Sequence, residues 1–155
     1  MIEVSQLKEI ANLKDLSEEA LSFLAGEMQQ RAYKGGDPIF NDNTEGTDLY
    51  LVAKGSVKVT KRAKEGEAQG LNTVREGEFL GMMTFLAGGR HSATAAAGGD
   101  CLMLLLDRRS FERFLEKYPA DAVKLYQVFI VEMVQMVRNL TDKYIDMVNY
   151  MWRWR

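Results

Sequence analysis

Residues 46–61 read GTDLYLVAKGSVKVTK, and this stretch decides the fold. Leu49, Leu51 and Ala53 alternate with Tyr50 and Val52, so the segment is apolar on both sides and reads as a strand buried on both faces. Gly55 marks a turn. Ser56-Val57-Lys58-Val59-Thr60-Lys61 then alternates polar with apolar, as a half-solvated strand does.

Working outward, RAKEGEAQG (62–70) reads as a charged, solvated hairpin tip. Ala93 to Ala97 and Cys101 to Leu106 form two further strands with Gly98-Gly99-Asp100 as their turn. Short strands at close spacing with glycine turns, over about 31–106, imply a sandwich, roll or barrel. Both ends are helical. Leu7, Ile10, Leu13 and Leu16 fall at intervals of three, a short helical start, and Ser17 can cap a second helix carrying Leu21, Leu24, Ala25 and Met28. Asp107 can cap RRSFERFLEK, and Pro119 can open a last helix that no Pro or Gly interrupts. From about 120 to 152 that helix would be about 50 Å long, more than the width of a domain this size, so part of it must project or meet a partner. The division is 1–118, a β domain with flanking helices, and 119–155, the long helix.

Composition sets limits on function. With 46 % hydrophobic and 27 % charged residues the chain is globular, and a net charge of −2 gives no global field toward nucleic acid. One Cys and one His exclude an intrachain disulfide, a four-cysteine metal site and a multi-histidine zinc site. A haem site needs only one or two ligands, and His91, Cys101 and the methionines would have to supply them. No cofactor is expected. The first residues lack the pattern of a signal peptide, and YQVFIVEMVQMV is too short and too polar to span a membrane, so the expected location is cytoplasmic. No Ser–His–acid spacing stands out, so no catalysis is expected.

The long helix carries Val123, Tyr126, Ile130, Met133, Val137, Leu140, Tyr144, Met147 and Met151 at alternating steps of three and four. A left-handed coiled coil requires this a/d pattern, which reads as a homodimer seam; the competing reading is a stripe packed on the protein's own β part. Leu125, Phe129 and Met136 already supply a second face for that packing.

Residues 77–97, GEFLGMMTFLAGGRHSATAAA, carry the chemistry. They read as a strand, Gly81, a short helix over about Met82 to Leu86, a Gly-Gly turn, and Arg90-His91-Ser92 leading into a strand. A close backbone approach at Gly81, a helix start, one Arg, one imidazole and one hydroxyl make a receptor for a single phosphate. A surface turn with a solvated Arg is the alternative on spacing alone.

The chain resembles the cyclic-nucleotide-binding domain family from about Leu7 to Leu140. The resemblance rests on Tyr33-Lys34-Gly35-Gly36-Asp37-Pro38-Ile39-Phe40, on the 46–59 stretch, on Gly77-Glu78-Phe79-Leu80-Gly81 and on Ser92-Ala93-Thr94. It implies an α+β, mainly β fold: an eight-stranded antiparallel β-roll with N-terminal helices, a short helix inside a phosphate-binding cassette, and a long C-terminal helix like the dimer helix of catabolite-activator-like regulators. It also implies a ligand site at Gly81, Met82, Met83, Arg90, His91, Ser92 and Ala93. Two positions depart from the family. Met82 stands where a Glu usually accepts from the ribose hydroxyl, a loss of about 1.5–3 kcal/mol of affinity. His91 stands where the phosphate-binding Arg usually lies, and imidazole is only partly charged near neutral pH.

The expected function is a non-enzymatic, ligand-sensing regulatory module that binds cAMP, cGMP or a related small anion weakly and works as a homodimer through an output partner. The alternative is a degenerate domain that binds a different effector or none, with Met82, Met83, Phe85 and Met103 candidates to line an apolar pocket. YMWRWR after the long helix leaves no helix-turn-helix, so direct DNA binding is not expected.

Overall fold

A computed structural model describes residues 2–62 and 68–154. The first helix, α1 (Val4–Lys8), is shorter than the apolar spacing predicts. Past it the chain continues as single turns, with Ile10 N–H donating to Leu7, Leu13 to Ile10 and Leu16 to Leu13. Each turn advances three residues, as in a 3₁₀ helix. This is why Leu7, Ile10, Leu13 and Leu16 all point inward and are buried. Ser17 then caps α2 (Glu18–Glu27), its Oγ accepting from Ala20 N–H at 3.3 Å.

Eight strands follow among the described residues: β1 (Gln29–Tyr33), β2 (Pro38–Phe40), β3 (Asp48–Lys54), β4 (Ser56–Arg62), β5 (Ala68–Arg75), β6 (Phe79–Leu80), β7 (Thr94–Ala97) and β8 (Cys101–Asp107). They form two four-stranded antiparallel sheets, ordered β1-β8-β3-β6 and β2-β7-β4-β5. Strands β4 and β5 extend into the stretch read from sequence as hairpin tip; the rest of that tip, 63–67, lies outside the described residues.

The double burial of β3 has a simple origin. Its sheet lies between the helices and the other sheet. Leu49 and Leu51 join Leu104 and Leu106 of β8 in the core shared with the helices. Tyr50 and Val52 join Met103 and Leu105 in the core between the sheets, facing Val57, Val74, Ala95 and Ala97. Strand β4 has only one such face, with Val57 buried and Lys58 exposed.

Asp107 caps α4 (Arg108–Lys117) by accepting from Ser110 N–H at 3.0 Å. Pro119 opens α5 (Pro119–Arg153), 35 residues long. Leu125 and Phe129 bury one face of α5 in the helix-side core, and Asp121 ties its first turn to α2 by accepting from Ser17 N–H at 2.9 Å and Ser17 Oγ at 2.7 Å. The remainder of α5 leaves most of its apolar stripe uncovered: Val123, Ile130, Val137, Tyr144 and Met151 are each 55–61 % exposed. No helix among the described residues is long and apolar enough to cross a membrane.

Candidate functional site

The cassette begins where β6 ends. Gly81 has a φ of 79°, the left-handed region that only glycine enters without strain, and it is the N-cap of α3 (Met82–Ala87). The backbone of Gly81 lies against β3, where an added Cβ would meet Asp48 O and the Tyr50 ring at 3.3 Å. On the far side of α3, Arg108 donates to the Phe85 carbonyl and ties the helix to α4. The return segment, Arg90-His91-Ser92, is held to the loop at 43–45. His91 N–H donates to Thr44 O at 2.8 Å and Asn43 N–H to His91 O at 2.8 Å, with a bridge between Glu45 and Arg90.

These contacts place the sequence-predicted residues very differently. Arg90 is on the rim, its Nη1 donating to Asn43 O at 2.7 Å and Nη2 lying 4.0 Å from Glu45. Ser92 is exposed, and its carbonyl accepts from Lys61 Nζ at 2.6 Å. Ala93 is half-buried and Met83 is 56 % exposed. Met82, by contrast, is 3 % exposed and belongs to the helix-side core.

His91 is 4 % exposed. Its ring stacks on Phe40 at a centroid distance of 3.7 Å and an angle of 7°, and its Nδ1 is 3.1 Å from Thr84 Oγ1. Nε2 faces Gly46. Burial pushes the imidazole pKa below its ordinary value of 6.5, so the ring is neutral at neutral pH. A neutral ring can still donate one hydrogen bond, but it lacks the charge that draws an anion.

Four methionine and aromatic candidates for an apolar pocket do not come together. Met82 and Phe85 are in the helix-side core, Met103 is in the core between the sheets, and Met83 faces solvent. Clefts of about 410 Å³ lie elsewhere, one lined by Phe23, Lys117 and Tyr118, the other by Lys58, Arg75 and Lys143. Among the described residues no cluster of three or more His, Cys, Asp or Glu is set to hold a metal ion.

Sequence reading missed Lys61, Thr84, Phe40 and Gly46. Lys61 follows Val57 and Val59 at steps of two, beyond the apolar part of β4, and nothing in the alternation says that it reaches Ser92. Thr84 lies within the cassette, but its partner is fixed only by the turn of α3.

Comparison with known proteins agrees with this architecture. The family model for the cyclic nucleotide-binding domain matches residues 30–118, and the chain belongs to that family. The Cyclic AMP receptor protein of Thermus thermophilus is 33 % identical over 110 residues, covering 71 % of this chain and 51 % of that protein. The chain thus spans about half the length of that relative. The crystal structure of the Thermus thermophilus catabolite activator protein superposes with a TM-score of 0.72 at 26 % identity, covering 94 % of this chain and 63 % of that one. A regulatory subunit of a cAMP-independent protein kinase A from Trypanosoma cruzi, bound to guanosine, gives a TM-score of 0.66 at 26 % identity, over 84 % of this chain and 49 % of that one.

Proposed function

We propose that the chain is a non-enzymatic sensing module whose cassette binds a cyclic nucleotide or related small anion weakly and passes the binding event to a homodimeric α5. The ligand meets Gly81, Met83, Arg90, Ser92 and Ala93 at the mouth, with Met82 and His91 beneath. The carrying observation is the stack of His91 on Phe40 with Nδ1 on Thr84. It holds the imidazole within the protein, where burial keeps it uncharged, so the phosphate loses its strongest partner while the cassette backbone is retained. Met82 supplies no charged acceptor for a ribose hydroxyl. Dimerisation is supported by the exposed stripe on α5, since each large apolar side chain fully buried there contributes about 1.5–3 kcal/mol before entropy costs. Location in the cytoplasm and a separate output partner belong to this reading.

Titration of cAMP and cGMP at about pH 6 and about pH 8 tests it. Binding at both with submicromolar affinity overturns the weak-site reading. A second reading is favoured by the neutral imidazole: the effector carries no phosphate at all. The Trypanosoma cruzi regulatory subunit, bound to guanosine, has a fold of this kind. Guanosine and adenosine in the same titration separate the two, because a nucleoside that outcompetes its cyclic phosphate supports the second.

A further inference from the structure

On α5 the buried residues Ala122, Leu125 and Phe129 are followed by Glu132, at steps of three, four and three. A carboxylate therefore sits in the apolar stripe that docks the helix. It is half-buried and fully engaged. Its Oε2 accepts from Phe79 N–H at 3.1 Å, and its Oε1 accepts from Asn12 Nδ2 at 2.5 Å. Asn12 Nδ2 also donates to the Gly77 carbonyl at 2.9 Å. One carboxylate thus joins the N-terminal turns, the start of β6 and the middle of α5. Phe79 is held to α5 a second time, edge-on to Phe129 at 5.0 Å. Leu80 alone separates Phe79 from Gly81, where the cassette starts.

We propose that Glu132 is a positioning residue through which proton uptake sets how firmly α5 docks against the strand leading into the cassette. This deepens the proposed function, because it names the contact by which the cassette and α5 influence each other. The groups facing the carboxylate are few. Glu78, in the turn before β6, repels it, the Asn12 amide is neutral, and among the described residues no Lys or Arg forms an ion pair with it.

The direction follows from the balance of these groups. Burial is the largest influence and Glu78 adds to it, while the bonds from Phe79 and Asn12 oppose; the result is a carboxyl pushed up from 4.5 to about 7. A docked helix holds the proton up to about pH 7, and a helix lifted into water releases it near the ordinary value of 4.5. Docking is therefore strongest below about pH 4.5, weakens as pH rises from there to about 7, and changes no further above it. The ionised carboxylate makes the stronger hydrogen bonds but bears the burial penalty, and lifting the helix relieves that penalty.

The test needs no ligand. The side-chain carboxyl of Glu132 and the backbone amide of Phe79 are followed by NMR from about pH 5 to about pH 8.5. Hydrogen exchange over 125–136, corrected for its intrinsic pH dependence, is read in parallel. A shared midpoint of about 7, with protection of that segment falling as pH rises toward it and levelling off above it, is the expected result. Glu132→Gln, close to isosteric, abolishes the midpoint at Phe79 and flattens the protection profile. Asn12→Ala removes a bond that favours the ionised form and moves the midpoint higher. A midpoint in the ordinary carboxylate range, a Phe79 amide indifferent to pH, or an unchanged protection profile in Glu132→Gln overturns the proposal. A chain that binds no cyclic nucleotide but shows this titration refutes the ligand reading and leaves Glu132 in its role.

Discussion

A Cβ placed on Gly46 would lie 2.0 Å from Nε2 of His91. The missing side chain at residue 46 and the inward position of the imidazole are thus one feature. Any larger residue at 46 must evict the ring from its stack on Phe40. Gly46→Ala is expected to lower stability by about 1–3 kcal/mol, as overpacking of a filled site does. Urea unfolding measures this, and NMR titration of the imidazole should show its pKa returning toward 6.5 as water reaches it. Unchanged stability together with an unchanged titration would show that the ring is not wedged there.

The same burial gives His91 a signature in the pH dependence of folding. Its folded pKa lies below 6.5, so the unfolded chain takes up the proton first on acidification. Its contribution to stability is complete above about pH 6.5 and declines as pH falls toward the depressed folded value. Glu132 acts in the opposite sense, its contribution declining as pH rises toward about 7. Glu132's window runs from 4.5 to about 7 and so overlaps that of His91 just below pH 6.5, where the two slopes oppose each other in the wild type, and the variants separate them. Glu132→Gln removes the decline with rising pH and leaves the one on acidification, and His91→Phe does the reverse.

Much of this architecture is legible in the sequence, and the reason is local. Leu49 to Ala53 advertises burial on two faces because side chains alternate along any strand, and Asp107 and Ser17 act on amides three residues away. The site is different. The position of His91 in the cassette can be read from the chain, but the direction of its ring depends on Phe40, Thr84 and Gly46 arriving from three other segments. Glu132 shows the same limit. Its step from Phe129 places it on the core-facing stripe, yet its partner Asn12 is 120 residues away, and no short-range pattern connects them.

Met82 offers a direct probe of the ribose side. Glu at this position adds a charged acceptor worth about 1.5–3 kcal/mol to a bound ribose hydroxyl, or about 10- to 150-fold in affinity. The free protein should suffer, because residue 82 is 3 % exposed and a carboxyl there lacks a partner until ligand arrives. Met82→Glu is thus expected to unfold at lower urea without ligand and to bind cAMP or cGMP more tightly by isothermal calorimetry. Circular dichroism confirms that the variant is folded before binding is read. Tighter binding with no loss of free-state stability would mean the side chain already faces the cassette mouth.

The stripe on α5 makes the sharpest prediction about assembly. Ile130 and Val137 are 55 % and 61 % exposed and belong to the repeat of threes and fours, whereas Val131 is 68 % exposed and stands outside it. If exposure alone drove association, a charge at any of the three would act alike. A coiled-coil seam instead buries the first two against the partner helix and leaves the third in water. Ile130→Asp combined with Val137→Asp is therefore expected to convert a dimer to a monomer, since two uncompensated carboxylates would face each other's apolar surfaces in each chain. Val131→Asp should leave the dimer intact. Sedimentation equilibrium at micromolar concentration distinguishes the two variants, and a wild-type chain that sediments as a monomer throughout would remove the seam from the account while leaving the contact between Glu132 and Phe79 untouched.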